Sequence, residues 1–76
     1  MMTNNEGLAK AIALLGGRAS LARAIGVQRG MIWQWEHNGV RITPAACPLI
    51  EKATGGQVRC EELRPDISWE LVRENA

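Results

Sequence analysis

The chain has 76 residues and a mass of 8.3 kDa, with 46% hydrophobic residues and a formal net charge of +1. That is one small domain with a modest core, too small for the two-lobed cleft in which many enzyme active sites form. The near-neutral balance does not announce a nucleic-acid binder, and a core of this size is marginal enough that a second copy or a ligand is expected to support it.

Five helical segments are expected, in chain order. Asn4 and Asn5 are good N-cap residues and Glu6 suits a first turn. Leu8, Ile12 and Leu15 then recur at helical spacing, so 6–15 reads as an amphipathic helix that Gly16-Gly17 ends. Residues 18–25 give a second, short helix with Leu21 and Ile25 on one face, ended by Gly26. Residues 29–36 give a third, with Ile32 and Trp35 inward. His37-Asn38-Gly39 is a turn signal, and Val40-Arg41-Ile42 alternates like a short extended piece. Thr43 and Pro44 are suited to open a fourth helix over 44–54, with Leu49, Ile50 and Ala53 as its apolar stripe. Gly55-Gly56 ends that helix. Cys60–Arg64 reads as a single turn closed by Pro65. Residues 66–76 are weakly specified; Trp69, Leu71 and Val72 leave a tail that either docks or stays free.

Charge is distributed unevenly along the chain. Residues 1–41 hold Lys10, Arg18, Arg23, Arg29 and Arg41 against Glu6 and Glu36, a net of +3. Residues 42–76 hold four basic residues against six acidic ones, a net of −2. Such asymmetry is read equally as scattered surface charge or as a nucleic-acid face backed by an acidic side. Cys47 and Cys60 form no CxxC pair and the single histidine, His37, lies far from both, so no metal site and no cofactor is expected. There is no basic, then apolar, leader at the N-terminus and no apolar run near the ~20 residues of a membrane span. A cytoplasmic protein with free thiols is expected, without a membrane partner. No Ser/His/Asp set or phosphate loop is present, and Glu61 and Glu62 are adjacent rather than convergent. An enzyme is not expected.

Residues 18–37, RASLARAIGVQRGMIWQWEH, carry the functional signal. Two short helices flank the tight Gly26-Val27-Gln28 turn. Ala22 is small where the helices must approach, and Gly26 supplies a left-handed conformation for the turn. Leu21, Ile25, Val27, Ile32 and Trp35 can share one core. This is the pattern of a helix-turn-helix, whose second helix enters the DNA major groove. At about 100° per residue, Arg29, Gly30, Trp33 and Gln34 fall in one outward sector and Ile32 and Trp35 in the opposite one. With Gln28 at the helix start, these five are the expected base-reading residues on a recognition helix over 28–36. Arg pairs bidentately with guanine and Gln with adenine, and Gly30 permits close approach. Trp33 is read as a DNA contact, as an anchor for a protein, or as cover over neighbouring surface. Arg18, Ser20, Arg23, Asn38 and Arg41 are expected to hold phosphates.

Three blocks, LARAIGVQRGMIWQW (21–35), ITPAACPLIEKATGG (42–56) and VRCEELRPDISW (58–69), resemble the Cro/phage-repressor class. More narrowly they resemble the YdaS-type, Cro-like family of prophage regulators. The resemblance implies an all-α, five-helix domain of the lambda-repressor/Cro kind over 1–65, with a C-terminal tail over 66–76. It also implies a double-stranded DNA operator bound by a homodimer and repression of a neighbouring promoter. Gln28 and Trp33 stand where that family more often carries Ser or Thr and a small polar residue. Some members are described as antitoxins. The alternative is therefore a protein-interaction module that engages a partner through Trp33, Trp69 and the acidic tail. For the dimer contact, Val40–Ile42, Val58–Leu63 and the segment with Trp69 are candidates.

Overall fold

The computed structural model describes residues 6–74; Asn4 and Asn5, expected as caps, and residues 75–76 lie outside this range. Six helices follow one another: α1 (Glu6–Leu15), α2 (Arg18–Ile25), α3 (Arg29–His37), α4 (Ala46–Ala53), α5 (Cys60–Leu63) and α6 (Trp69–Glu74). No strand occurs among the described residues. The all-helical expectation holds, with one helix more than the five expected. α2 lies at the centre of the packing, against α1, α3 and α4.

The core forms where the apolar spacing placed it. Leu8 and Ala11 of α1, Leu21, Ala22 and Ile25 of α2, and Ile32 and Trp35 of α3 are buried. α4 adds Ala46, Cys47 and Ile50, and Ile42, Val58, Cys60, Leu63 and Trp69 complete the cluster. Each fully buried Leu or Ile contributes roughly 1.5–3 kcal/mol relative to exposure. Leu49, expected on the α4 stripe, is instead 46% exposed. Both cysteines are free and buried, and desolvation pushes the Cys47 thiol up to about 11.

Two boundaries differ from expectation for identifiable reasons. The fourth helix begins at Ala46, not at Pro44. Thr43 and Pro44 instead accept i→i+3 bonds from Ala46 N (2.9 Å) and Cys47 N (3.3 Å), which wind a tight turn ahead of the helix. At its other end the Thr54 hydroxyl donates to Ile50 O (3.0 Å) and accepts from Val58 N (3.1 Å). Glu51 Oε1 then accepts Cys60 N (2.9 Å), so a carboxylate of α4 satisfies one of the free amides at the start of α5.

Val40–Ile42 is the second difference. It pairs with no strand; it crosses the domain as a strap with Ile42 buried. Arg64 fastens it by donating to Ile42 O (2.8 Å), while its other nitrogens bind both Asp66 oxygens (2.9 and 2.7 Å). Arg41 reaches the same carboxylate at 3.0 Å. The hydrogen bonds from Arg64, then one from the Asp66 backbone, and after these the charges of Arg64 and Arg41, hold the Asp66 carboxyl far below the usual range against the opposing effect of desolvation. A carboxyl with a depressed folded-state pKa stabilises the fold above the ordinary Asp value of about 3.9, and that contribution declines below this value until pH has fallen through the folded-state pKa. Asp66→Asn is therefore expected to lower the melting temperature at pH 7. The gap between variant and parent should narrow as pH falls from about 5 to 2, read by paired thermal melts. A gap that is constant with pH would contradict this.

The expected division between 1–65 and 66–76 falls inside this fastened turn. Trp69 is buried, and its indole N–H donates to Arg64 O (2.8 Å), so α6 docks on the domain.

Candidate nucleic-acid interface

α2 and α3 are joined as the glycine at position 26 requires. Gly26 has φ +77°, and both its N–H and that of Val27 return to Ala22 O (2.8 and 3.0 Å). That left-handed cap ends α2 and turns the chain within two residues. Gln28 then adopts extended geometry and starts α3 through its backbone, with Met31 N donating to Gln28 O at 3.0 Å. Its side chain makes no capping bond and is exposed.

The rotation count describes α3 correctly. Ile32 and Trp35 are buried, while Arg29, Gly30, Trp33 and Gln34 are exposed or half-buried on the outer side. Trp33 is 47% exposed, so it is not absorbed into an enlarged core. Its ring sits 4.6 Å from the His37 imidazole, tilted by 41°. A Cβ built on Gly30 would meet nothing within 4 Å, so no packing inside this chain demands glycine there.

Arg18, Arg29, Gly30 and Trp33 line one shallow cleft together with Gly17 and Ala19. The cleft runs between the start of α2 and the outer face of α3. The start of α2 has no side-chain cap, a feature that Gly16-Gly17 foreshadows and that sequence reasoning did not use. Arg23 is exposed and makes no ion pair among the described residues; Ser20 is half-buried. Asn38 caps α3, its N–H donating to Gln34 O at 3.0 Å.

Two of the expected phosphate holders have partners inside the protein. Arg18 pairs with Glu36 through Nε to Oε1 and through Nη2 to Oε2 at 3.5 Å. This ion pair ties the start of α2 to the end of α3, and Arg18 remains 43% exposed. Glu36 was not singled out from sequence; the opposite charge closing the helix-turn-helix was the available signal. Arg41 does not join the cleft of Arg29. It binds Asp66 and lines a separate groove with Glu6, Trp35 and Arg64.

The candidate partner-binding residues are also sorted. Trp69 is buried, which removes it from a partner-facing surface and leaves Trp33 as the exposed tryptophan. Ile42, Val58, Cys60 and Leu63, candidates for a dimer contact, are consumed by the domain's own core. No helix among the described residues is long and apolar enough to cross a membrane.

Comparison with known proteins finds relatives in sequence and in fold. Residues 8–72 match the family model described as "Bacterial toxin YdaS". The chain is 47% identical over 77 aligned positions to the "Putative transcriptional regulator YdaS" of Escherichia coli (strain K12), covering all of this chain and 78% of that protein. It superposes with TM-score 0.75 on the "Cro protein from putative prophage element Xfaso 1 in Xylella fastidiosa strain Ann-1", at 39% identity over 80% of this chain and 92% of that one. The chain belongs to the YdaS family, and its all-helical fold is of the Cro type.

Proposed function

We propose that this chain is a DNA-binding transcriptional regulator that represses a promoter by occupying an operator as a homodimer. The observation that carries the proposal is the outer face of α3. There Arg29, Gly30, Trp33 and Gln34 are exposed or half-buried on a helix whose opposite face is buried through Ile32 and Trp35, with Gln28 exposed at its N-cap. Base edges would be read by the N-terminal part of that helix. Arg18, Ser20, Arg23 and Asn38 would set the register on phosphates, with Arg41 at the periphery. The reading needs no cofactor and no catalysis, and a protein acting in this way works in the cytoplasm with its DNA. The descriptions of the two relatives, a transcriptional regulator and a Cro protein, support it.

The dimer contact is assigned to α4 and α6. Leu49, Leu71 and Val72 are exposed there beside a groove of about 500 Å³ floored by Cys60 and Trp69. Lys52 and Glu70 are oppositely charged, and neither has an ion pair among the described residues. A two-fold contact can match the lysine of one copy with the glutamate of the other. Leu71→Glu with Val72→Glu should convert a dimer to a monomer in sedimentation equilibrium; unchanged mass would reject this face.

Selection from a random duplex pool tests the function. The expected product is an inverted repeat with half-sites about 34 Å apart, bound with an affinity that falls steeply with salt. No enrichment, and no binding at low salt, would overturn it. The toxin description of the family favours a second reading, engagement of a protein partner through Trp33. Arg29→Ala with Gln34→Ala separates the two, since only the DNA reading requires both.

Gly30→Ala dissociates fold from binding. The added Cβ meets open space and removes the entropic cost of glycine in a helix, so stability should rise by about 0.5–1 kcal/mol. Affinity for a selected duplex should fall, because the methyl group occupies the space of closest approach. Higher stability with unchanged affinity would place DNA elsewhere.

A further inference from the structure

The His37 imidazole has no part in the reading above, yet it lies against the most unusual residue of the α3 face. Its ring centroid is 4.6 Å from that of Trp33, at a 41° tilt. The spacing is i, i+4, and helical side chains lean toward the N-terminus, so a ring at 37 is directed back over position 33. His37 Nε2 also stands 3.8 Å from Glu36 Oε1. Glu36 is 14% exposed and is gripped by Arg18 of α2. A continuous series, Arg18–Glu36–His37–Trp33, therefore runs from the start of α2 to the exposed indole.

We infer that His37 is a positioning residue for base reading: its imidazole sets the orientation of the Trp33 indole, and the Arg18–Glu36 pair sets the imidazole. The inference rests on the proposal that α3 faces DNA. The physical basis is preorganisation. A half-exposed indole that samples several rotamers must be immobilised on binding, whereas one stacked in advance loses less entropy. Arg18 thereby acts on specificity through Glu36 as well as on phosphate through its own exposed edge. On the reading that Trp33 contacts base edges, the effect of His37 should appear in specific binding and not in general affinity for duplex.

The test has two arms. His37 is the sole histidine of the chain, so its imidazole C–H resonances are a single set in the proton spectrum. In the free protein these should be shifted by the indole ring current, and Trp33→Ala should return them to the positions of an unstacked histidine. Glu36→Gln should reduce the shift. In the second arm, His37→Ala should lower affinity for a selected operator by roughly two- to tenfold. Affinity for scrambled duplex and the salt slope should stay unchanged. His37→Phe, which keeps a ring over Trp33, should restore operator affinity. Histidine resonances indifferent to Trp33→Ala overturn the inference, as does a His37→Ala protein with full operator selectivity. A parent protein that shows the ring-current shift but binds no DNA overturns the α3 reading instead.

Discussion

Trp69→Ala is expected to destabilise the domain by about 3–5 kcal/mol. The indole is 4% exposed, belongs to the same buried cluster as Cys60 and Leu63, and donates its N–H to Arg64 O at 2.8 Å. Truncation leaves a cavity and an acceptor without its donor. Against a total stability of about 5–15 kcal/mol for a natural domain, that loss takes a large share. Urea denaturation followed by circular dichroism reads it directly. Leu71→Ala is the control: it lies on the same helix, is 57% exposed, and should change stability by no more than about 0.5 kcal/mol in the monomer. A Trp69→Ala cost under about 1 kcal/mol would mean that α6 is not part of the core.

Arg29→Ala is expected to weaken binding to a selected operator by about 10- to 100-fold and to relax the preference at one base pair. Arg29 is the first residue of α3, is exposed, and carries no ion pair among the described residues. Its guanidinium is therefore free to meet a base edge without giving up an internal partner. The fold should not notice, with a change within about 0.5 kcal/mol. Arg23→Ala supplies the contrast. Removing a phosphate anchor there should weaken all duplexes alike and reduce the salt slope by about 1. Fluorescence anisotropy with selected and scrambled duplexes at several salt concentrations distinguishes the two outcomes. Equal losses on both duplexes from Arg29→Ala would reassign it to phosphate.

The parts of the fold legible in the sequence were those governed by local rules. α1 to α3 follow from apolar residues at helical spacing and from glycines that end each run. The exposed and buried faces of α3 follow from the same periodicity. What escaped depends on partners far apart in the chain. Thr43-Pro44 looks like a helix start, and only the i→i+3 bonds from Ala46 and Cys47 make it a turn. The docking of α6 rests on Trp69 finding Arg64, and the strap at Ile42 rests on Arg64 finding a carbonyl 22 residues away. Arg18 and Glu36 are 18 residues apart, and nothing local announces that a candidate phosphate holder is paired internally. Val58, Cys60 and Leu63 carried no strong periodicity, so their role as core, and not as interface, became visible only in three dimensions.

Charge follows the same logic. The net +1 of the whole chain conceals a +3 segment that contains the helix-turn-helix and a −2 segment that contains α4 to α6. Arg41 and Arg64, from opposite sides of that division, converge on Asp66, so part of the basic charge is spent on holding the strap. Non-specific affinity should be modest, and discrimination should rest on the few side chains around Arg29.

The most direct test of the central claim is amide chemical-shift mapping of the isotope-labelled protein titrated with duplex DNA at low salt. The largest changes are expected at residues 28–34 and at the start of α2, with the indole N–H of Trp33 among them and α4 to α6 little affected on their outer faces. Largest changes on α4 and α6, with residues 28–34 unmoved, would contradict it.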